Sequence, residues 1–180
     1  MRGKIPRIRI EDYPAVKAHL DLYWSKISKR ADKGDTPYNL RNCAYLEDFD
    51  KPKVMWKIIG CNINFSFDDS SMVCNNAVNI MTGEKSTLLQ FVALMNSKLF
   101  DWYLKLTTEA EVQGGGIQLY VTTLEKTLLK LNFPREFSEI VYKRIINSIS
   151  DEQMDEAVFD VYKLNREEKM YILECKQVNN

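Results

Sequence analysis

Histidine is almost missing from this 180-residue chain, with His19 its single example. That excludes any metal site or acid–base relay built on two histidines. The four cysteines (Cys43, Cys61, Cys74 and Cys175) are widely and irregularly spaced, with no C-x-x-C pair. Zinc sites usually show at least one close ligand pair, so no metal is expected and the thiols read as buried and reduced. No uninterrupted apolar run approaches the roughly 20 residues that span a bilayer. The opening Met1-Arg2-Gly3-Lys4-Ile5-Pro6-Arg7 lacks the apolar core of a signal peptide. No membrane association and a cytoplasmic location are therefore expected. Phosphate-binding glycine patterns are absent too: neither G-x-x-x-x-G-K-[ST] nor G-x-G-x-x-G occurs.

What remains is ordinary globular material, 45% apolar and 28% charged. The length suits one compact domain or a domain with an appendage. Net charge is zero but unevenly spread. Residues 1–60 hold 13 Lys/Arg against 8 Asp/Glu, a net of +5, while residues 131–180 hold 7 against 10. A basic first third is compatible with a nucleic-acid-facing surface and equally with ordinary solvated charge.

The pattern predicts an α+β fold. A first helix opens at Pro14, a residue suited to the first helical position, and its apolar face (Val16, Leu20, Tyr23, Trp24, Ile27) runs out near Arg30. Strands follow at Lys53–Ile59, at Ile63–Phe67 and at Ala77–Met81, with Met72-Val73-Cys74 also extended. The tight turns between them favour an antiparallel or mixed sheet. Ser86–Leu106 reads as one long helix, apolar around most of its girth and hence buried between layers. Ile117–Val121 reads as a strand, Thr122–Glu125 as a short capped helix and Leu128–Pro134 as extended. The last 46 residues change character, so we expect an α+β body over 1–134 and a helical appendage over 135–180. Its first helix runs from Glu136 to Ser148, and capping boxes at Ser150-x-x-Gln153 and Asn165-x-x-Glu168 open two more.

No catalytic constellation emerges. Asp35-Thr36-Pro37-Tyr38 is similar to the Asp-Pro-Pro-Tyr loop that holds the target amine in amino-methyltransferases. Thr36 stands where that loop needs its first proline, and the charged Lys29–Lys33 stretch before it cannot be a buried strand. His19 reads as a solvated or structural histidine, and Asp68-Asp69 as a solvated turn.

The order of segments carries a family resemblance. Tyr13-Pro14 through Lys17 to Leu20, then Tyr38-Asn39-Leu40-Arg41, Lys51-Pro52-Lys53-Val54 and Leu94-Met95-Asn96-Ser97-Lys98-Leu99 follow one another. Together they resemble the TaqI-like C-terminal specificity domain of adenine-specific DNA methyltransferases and type IIG restriction-modification enzymes. Glu156–Glu168 resembles the acidic helix pair that often ends type IIG chains. The likeness runs from about Tyr13 to Glu174, with one departure: Leu129–Pro134 keeps only the last proline of the family's Leu-Pro-Ile-Pro.

The resemblance implies a target-recognition fragment with no chemistry or cofactor of its own. The family's S-adenosylmethionine and catalytic motifs would lie in an N-terminal methyltransferase domain of the same parent chain, and the partner would be double-stranded DNA. Candidate phosphate or base contacts are Arg41, Lys51, Lys53 and Lys57, with Asn75, Asn76, Gln113, Gln118 and Tyr120 in or beside loops. The Gly114-Gly115-Gly116 segment reads either as a plain connector or as a loop ordered by DNA. The competing reading is a protein-interaction module that docks a subunit through its helical tail without touching DNA.

Overall fold

The computed structural model describes residues 6–107, 111–112, 116–127 and 133–175. The chain divides into two compact units, one ending at Asp48 and the other starting at Phe49.

In the first unit a short turn over Ile10–Asp12 leads into helix α1 (Pro14–Asp21) and the single-turn α2 (Trp24–Ile27). The predicted helix is thus broken at Leu22 and Tyr23, where Tyr23 N–H bonds to the Leu20 carbonyl and tightens the turn. Tyr38 docks beside this break: its hydroxyl donates to Asp21 at 2.5 Å and its ring lies 5.4 Å from that of Trp24. The loop carrying Tyr38 is closed by a bridge between Lys33 and Leu40 and by Arg30, which donates to the carbonyls of Pro37 and Asn39. Gly34 is required there, since a Cβ would sit 2.5 Å from the Leu40 carbonyl oxygen. No residue from 6 to 48 is buried.

The second unit is α+β, as the pattern predicts. Strand β1 (Lys53–Lys57) runs between β3 (Phe65–Asp68) and β4 (Val78–Thr82), antiparallel to both. The chain leaves this sheet at Ile58, and β2 (Ile59–Gly60) enters a second, small antiparallel sheet with β6 (Gly116–Gln118) and β5 (Glu111–Val112). Met72-Val73-Cys74, expected to be extended, lies outside the strands in the loop between β3 and β4. Val121, expected to end a strand, begins helix α5 (Val121–Glu125). The segment expected to be extended after it falls largely outside the described residues.

Two helices replace the predicted long one: α3 (Lys85–Met95) and α4 (Lys98–Thr107). Ser97 makes the break by capping α4, its Oγ accepting from Phe100 N–H at 3.2 Å. Asp155, buried on α7 (Asp151–Val161), accepts from Lys98 N–H at 2.8 Å and adds a carboxylate at the same helix start. Asn96 between the helices donates to the Phe65 carbonyl and accepts from Phe65 N–H, both at 2.8 Å. Its amide therefore stands in for a strand neighbour on the outer edge of β3. Replacing Asn96 by alanine leaves both backbone groups without this partner. The expected loss is about 1–3 kcal/mol, read by urea denaturation; an unchanged midpoint would refute the lock.

As the girth of the helix implied, α3 and α4 lie between layers. One face packs Leu88, Phe91, Met95, Phe100 and Leu104 on Val54, Trp56 and Phe65 of the sheet. The other packs Ala93, Leu94 and Leu99 on Phe137 and Val141 of α6 (Arg135–Ile145). Met154, Val158 and Phe159 of α7 and Ile172 of α8 (Arg166–Glu174) complete this second core. Both predicted capping boxes form, at Ser150 and at Asn165. The boundary expected at residue 134 is not where the compact units part, because α6–α8 share a core with α3 and α4. Among the described residues no helix is long and apolar enough to cross a membrane.

Candidate nucleic-acid interface

Five of the nine candidate residues converge on one end of the main sheet. The pivot is Ile58, where the backbone passes from one sheet to the other. Its N–H donates to the Ala77 carbonyl at 3.0 Å and its carbonyl accepts from Leu119 N–H at 2.8 Å. The turn before β4 and the end of β6 are thereby both tied to the β1 terminus. Lys57 is exposed at this terminus, opposite Val78. Asn75 and Asn76 occupy the turn, and Gln118 lies opposite the exposed Ile59. The Gln118 amide donates to the hydroxyl of Tyr120, which is itself half exposed and immediately precedes α5.

These side chains are not equivalent. The Asn75 oxygen accepts from Ala77 N–H at 3.0 Å, and its carbonyl accepts from Val78 N–H. Asn75 therefore builds the turn, which leaves Asn76 as the exposed amide on it. The result is a rim of one cation, amides, a phenol and an apolar tip, held on backbone that is hydrogen-bonded on both sides. Such a surface can pair with phosphates and with polar groups at base edges.

Of the other candidates, Lys51 and Lys53 lie toward the opposite end of β1. Lys53 must be corrected: it is fully buried, pairs with Asp68 at 2.5 Å and donates to the Phe49 carbonyl at 2.7 Å. An ammonium so enclosed has no path to a phosphate. The β1–β3 register sets Lys53 directly against Asp68, so what reads as a solvated strand flank is an internal ion pair. Lys51 is exposed, but it precedes β1 and lies at the strand end opposite Lys57, more than about 13 Å along the chain axis. Arg41 is exposed in the first unit, 3.4 Å from Asp32. Gln113 lies outside the described residues, as do Gly114 and Gly115.

Asp68 is the strongest electrostatic feature near the sheet. Its carboxylate also accepts from Ser70 N–H, Ser70 Oγ and Met72 N–H. The Lys53 ammonium, and next the Ser70 hydroxyl, hold the carboxyl well below the usual carboxylate range despite its burial. The pair was missed because no local pattern marks it, although the Asp68-Asp69-Ser70-Ser71 turn is its visible half.

Elsewhere the groups weighed for chemistry have structural neighbours. The Tyr38 hydroxyl is bonded to Asp21, and exposed His19 lies 5.3 Å from the Tyr23 ring. Among the described residues no cluster of three His, Cys, Asp or Glu could hold a metal, and the four cysteines are free thiols.

The fold that carries this rim is α+β. Residues 5–127 match the TaqI-like C-terminal specificity domain, and the chain belongs to that family. A specificity domain serves target recognition in restriction-modification enzymes and is not itself the catalytic part. No individual curated protein matches the chain. The family match ends near the start of α6, so the helices that complete the second core lie beyond it.

Proposed function

We propose that this chain selects the DNA sequence at which a restriction-modification enzyme acts, holding duplex DNA for adenine methylation by a methyltransferase domain of the same parent polypeptide. That domain would bind S-adenosylmethionine, and in a type IIG parent the same polypeptide would also cut. The observation that carries this reading is the gathering of Lys57, Asn76, Gln118 and Tyr120 at one exposed sheet terminus, in a chain of the specificity family. The cation there sets register on the phosphates, and amides discriminate base edges.

The test is binding to duplex DNA across a salt series, with the methyltransferase domain attached. Counterion release from as few as two phosphate contacts predicts an affinity drop of about tenfold between roughly 50 and 200 mM salt. Lys57→Ala should lower the salt slope by about one and weaken all sequences alike. Salt-insensitive binding, or none at low salt, would refute the proposal.

One observation favours a second role for the tail. Leu99, Trp102, Leu164, Tyr171 and Ile172 line an apolar hollow of about 440 Å³ between α4 and α8, and Met170, Tyr171 and Leu173 are exposed beside it. This suits protein contact, the competing reading, and is compatible with DNA recognition elsewhere on the chain.

A further inference from the structure

Residues 69–77 connect β3 to β4, which flank β1 and run parallel to each other, so the loop crosses from the Lys53 end of β1 to its Lys57 end. The loop is tied down at both ends. At its start the Asp68 carboxylate gathers Ser70 and Met72 and is itself fixed by buried Lys53, while Ser71 takes a left-handed φ of 61° that a non-glycine residue rarely adopts. Asp69 is paired with Lys85 at 2.7 Å. At its end Asn75 closes the turn on Ala77 and Val78, and the Ala77 carbonyl is bonded to Ile58.

Between these anchors the loop presents apolar side chains to solvent. Met72 is 55% exposed and Val73 is 65% exposed, with exposed Asn76 following. The loop contains no Lys or Arg, and its one acid is neutralised by Lys85. Phosphate contact therefore does not account for it. An anchored loop with exposed methyl groups and a free-standing amide matches the major-groove edge of an A·T pair. There thymine offers its methyl group, and adenine offers the donor–acceptor pair that an asparagine amide can meet.

We propose that the loop 69–77 is the base-reading element of this domain, with Met72 and Val73 against thymine methyls and Asn76 against an adenine edge, and that the buried Lys53–Asp68 pair is its positioning device. This rests on the DNA-recognition reading above and names the bases that reading would contact. A buried ion pair adds little net stability over apolar residues of similar volume, but it can fix one conformation. Here the pair sits where the loop leaves β3, and it fixes the backbone that carries Met72 and Val73 into the crossing.

Two measurements separate the claims. The first needs no DNA: amide hydrogen exchange on the intact chain, comparing wild type with the K53M/D68L double variant. The expected result is at least about tenfold faster exchange at Ser70 and Met72, each a hydrogen-bonded amide released by the change. The β1 amides of Val54 and Trp56 should keep their protection. Unchanged exchange at Ser70 and Met72 overturns the positioning role. The second uses the chain joined to its methyltransferase domain, on the site it methylates, with thymines replaced one at a time by deoxyuridine to remove only the methyl group. Wild type should lose about fourfold in affinity per contacted methyl, and M72S/V73S should become indifferent to the replacement. Equal dependence on the thymine methyls in wild type and variant, or no dependence in wild type, overturns the loop assignment. Absence of any DNA binding by wild type sinks the underlying reading instead, and the exchange result still judges the pair.

Discussion

Asp68→Ala should lower the unfolding free energy by about 3–5 kcal/mol, the range typical of removing one member of a buried ion pair. The cost is high because Lys53 is fully buried and would keep only the Phe49 carbonyl as a partner. The loop root would also lose three hydrogen bonds to Ser70 and Met72. The double replacement K53M/D68L removes both charges and should cost much less, so the pair's coupling can be measured directly. Acid offers a second test. The folded chain holds the Asp68 carboxyl below its ordinary range, so the unfolded chain takes up this proton first as pH falls. The carboxylate's contribution is therefore complete above about pH 5 and declines as pH drops through the ordinary Asp value of about 3.9. Urea titrations of wild type and Asp68→Ala should differ most near neutrality and converge in acid. A gap that stays constant down to about pH 3 would disprove the assignment.

A chain ending at Pro134 should fail to fold cooperatively. The composition changes there, and the second core runs across that point. Leu94 is 1% exposed and Leu99 is 8% exposed only because Phe137, Val141, Met154, Val158, Phe159 and Ile172 cover them. Each fully buried side chain of this size contributes about 1.5–3 kcal/mol. Losing the whole set from both sides of the interface exceeds the roughly 5–15 kcal/mol that holds a typical domain together. The cut also takes Asp155 away from the start of α4. Near-UV circular dichroism and a thermal melt of residues 1–134 should show no cooperative transition. A sharp melt would mean that the tail is an independent appendage after all.

Local chemistry made much of the fold legible. The capping boxes at Ser150 and Asn165 depend on residues three apart, and both form. The apolar girth of Ser86–Leu106 correctly implied burial on two sides, because each face meets its own core. The interruption at Asn96 and Ser97 was hidden by the same unbroken apolar pattern. Its cause is distant: Asn96 is locked to Phe65, 31 residues away. The first helix likewise breaks where Tyr38, 17 residues from Asp21, docks on it.

The candidate site divides in the same way. Lys57, Asn76, Gln118 and Tyr120 could be chosen by type, since amides and cations beside turns are what a groove would meet. Their assembly depends on Ile58, whose N–H bonds to Ala77 and whose carbonyl bonds to Leu119. Lys53 shows the converse, a basic residue that type alone assigns to solvent and pairing assigns to the interior.

By itself, then, the sequence determined the α+β class, the capped starts of the last two helices and the membership in a specificity family, because propensity, capping and segment order act over a few residues at a time. The tertiary structure decided which lysine faces water, where the long helix breaks and which polar residues share an edge. Those outcomes turn on strand register and on contacts between residues far apart in the chain, where a displacement of one position exchanges a buried side chain for an exposed one.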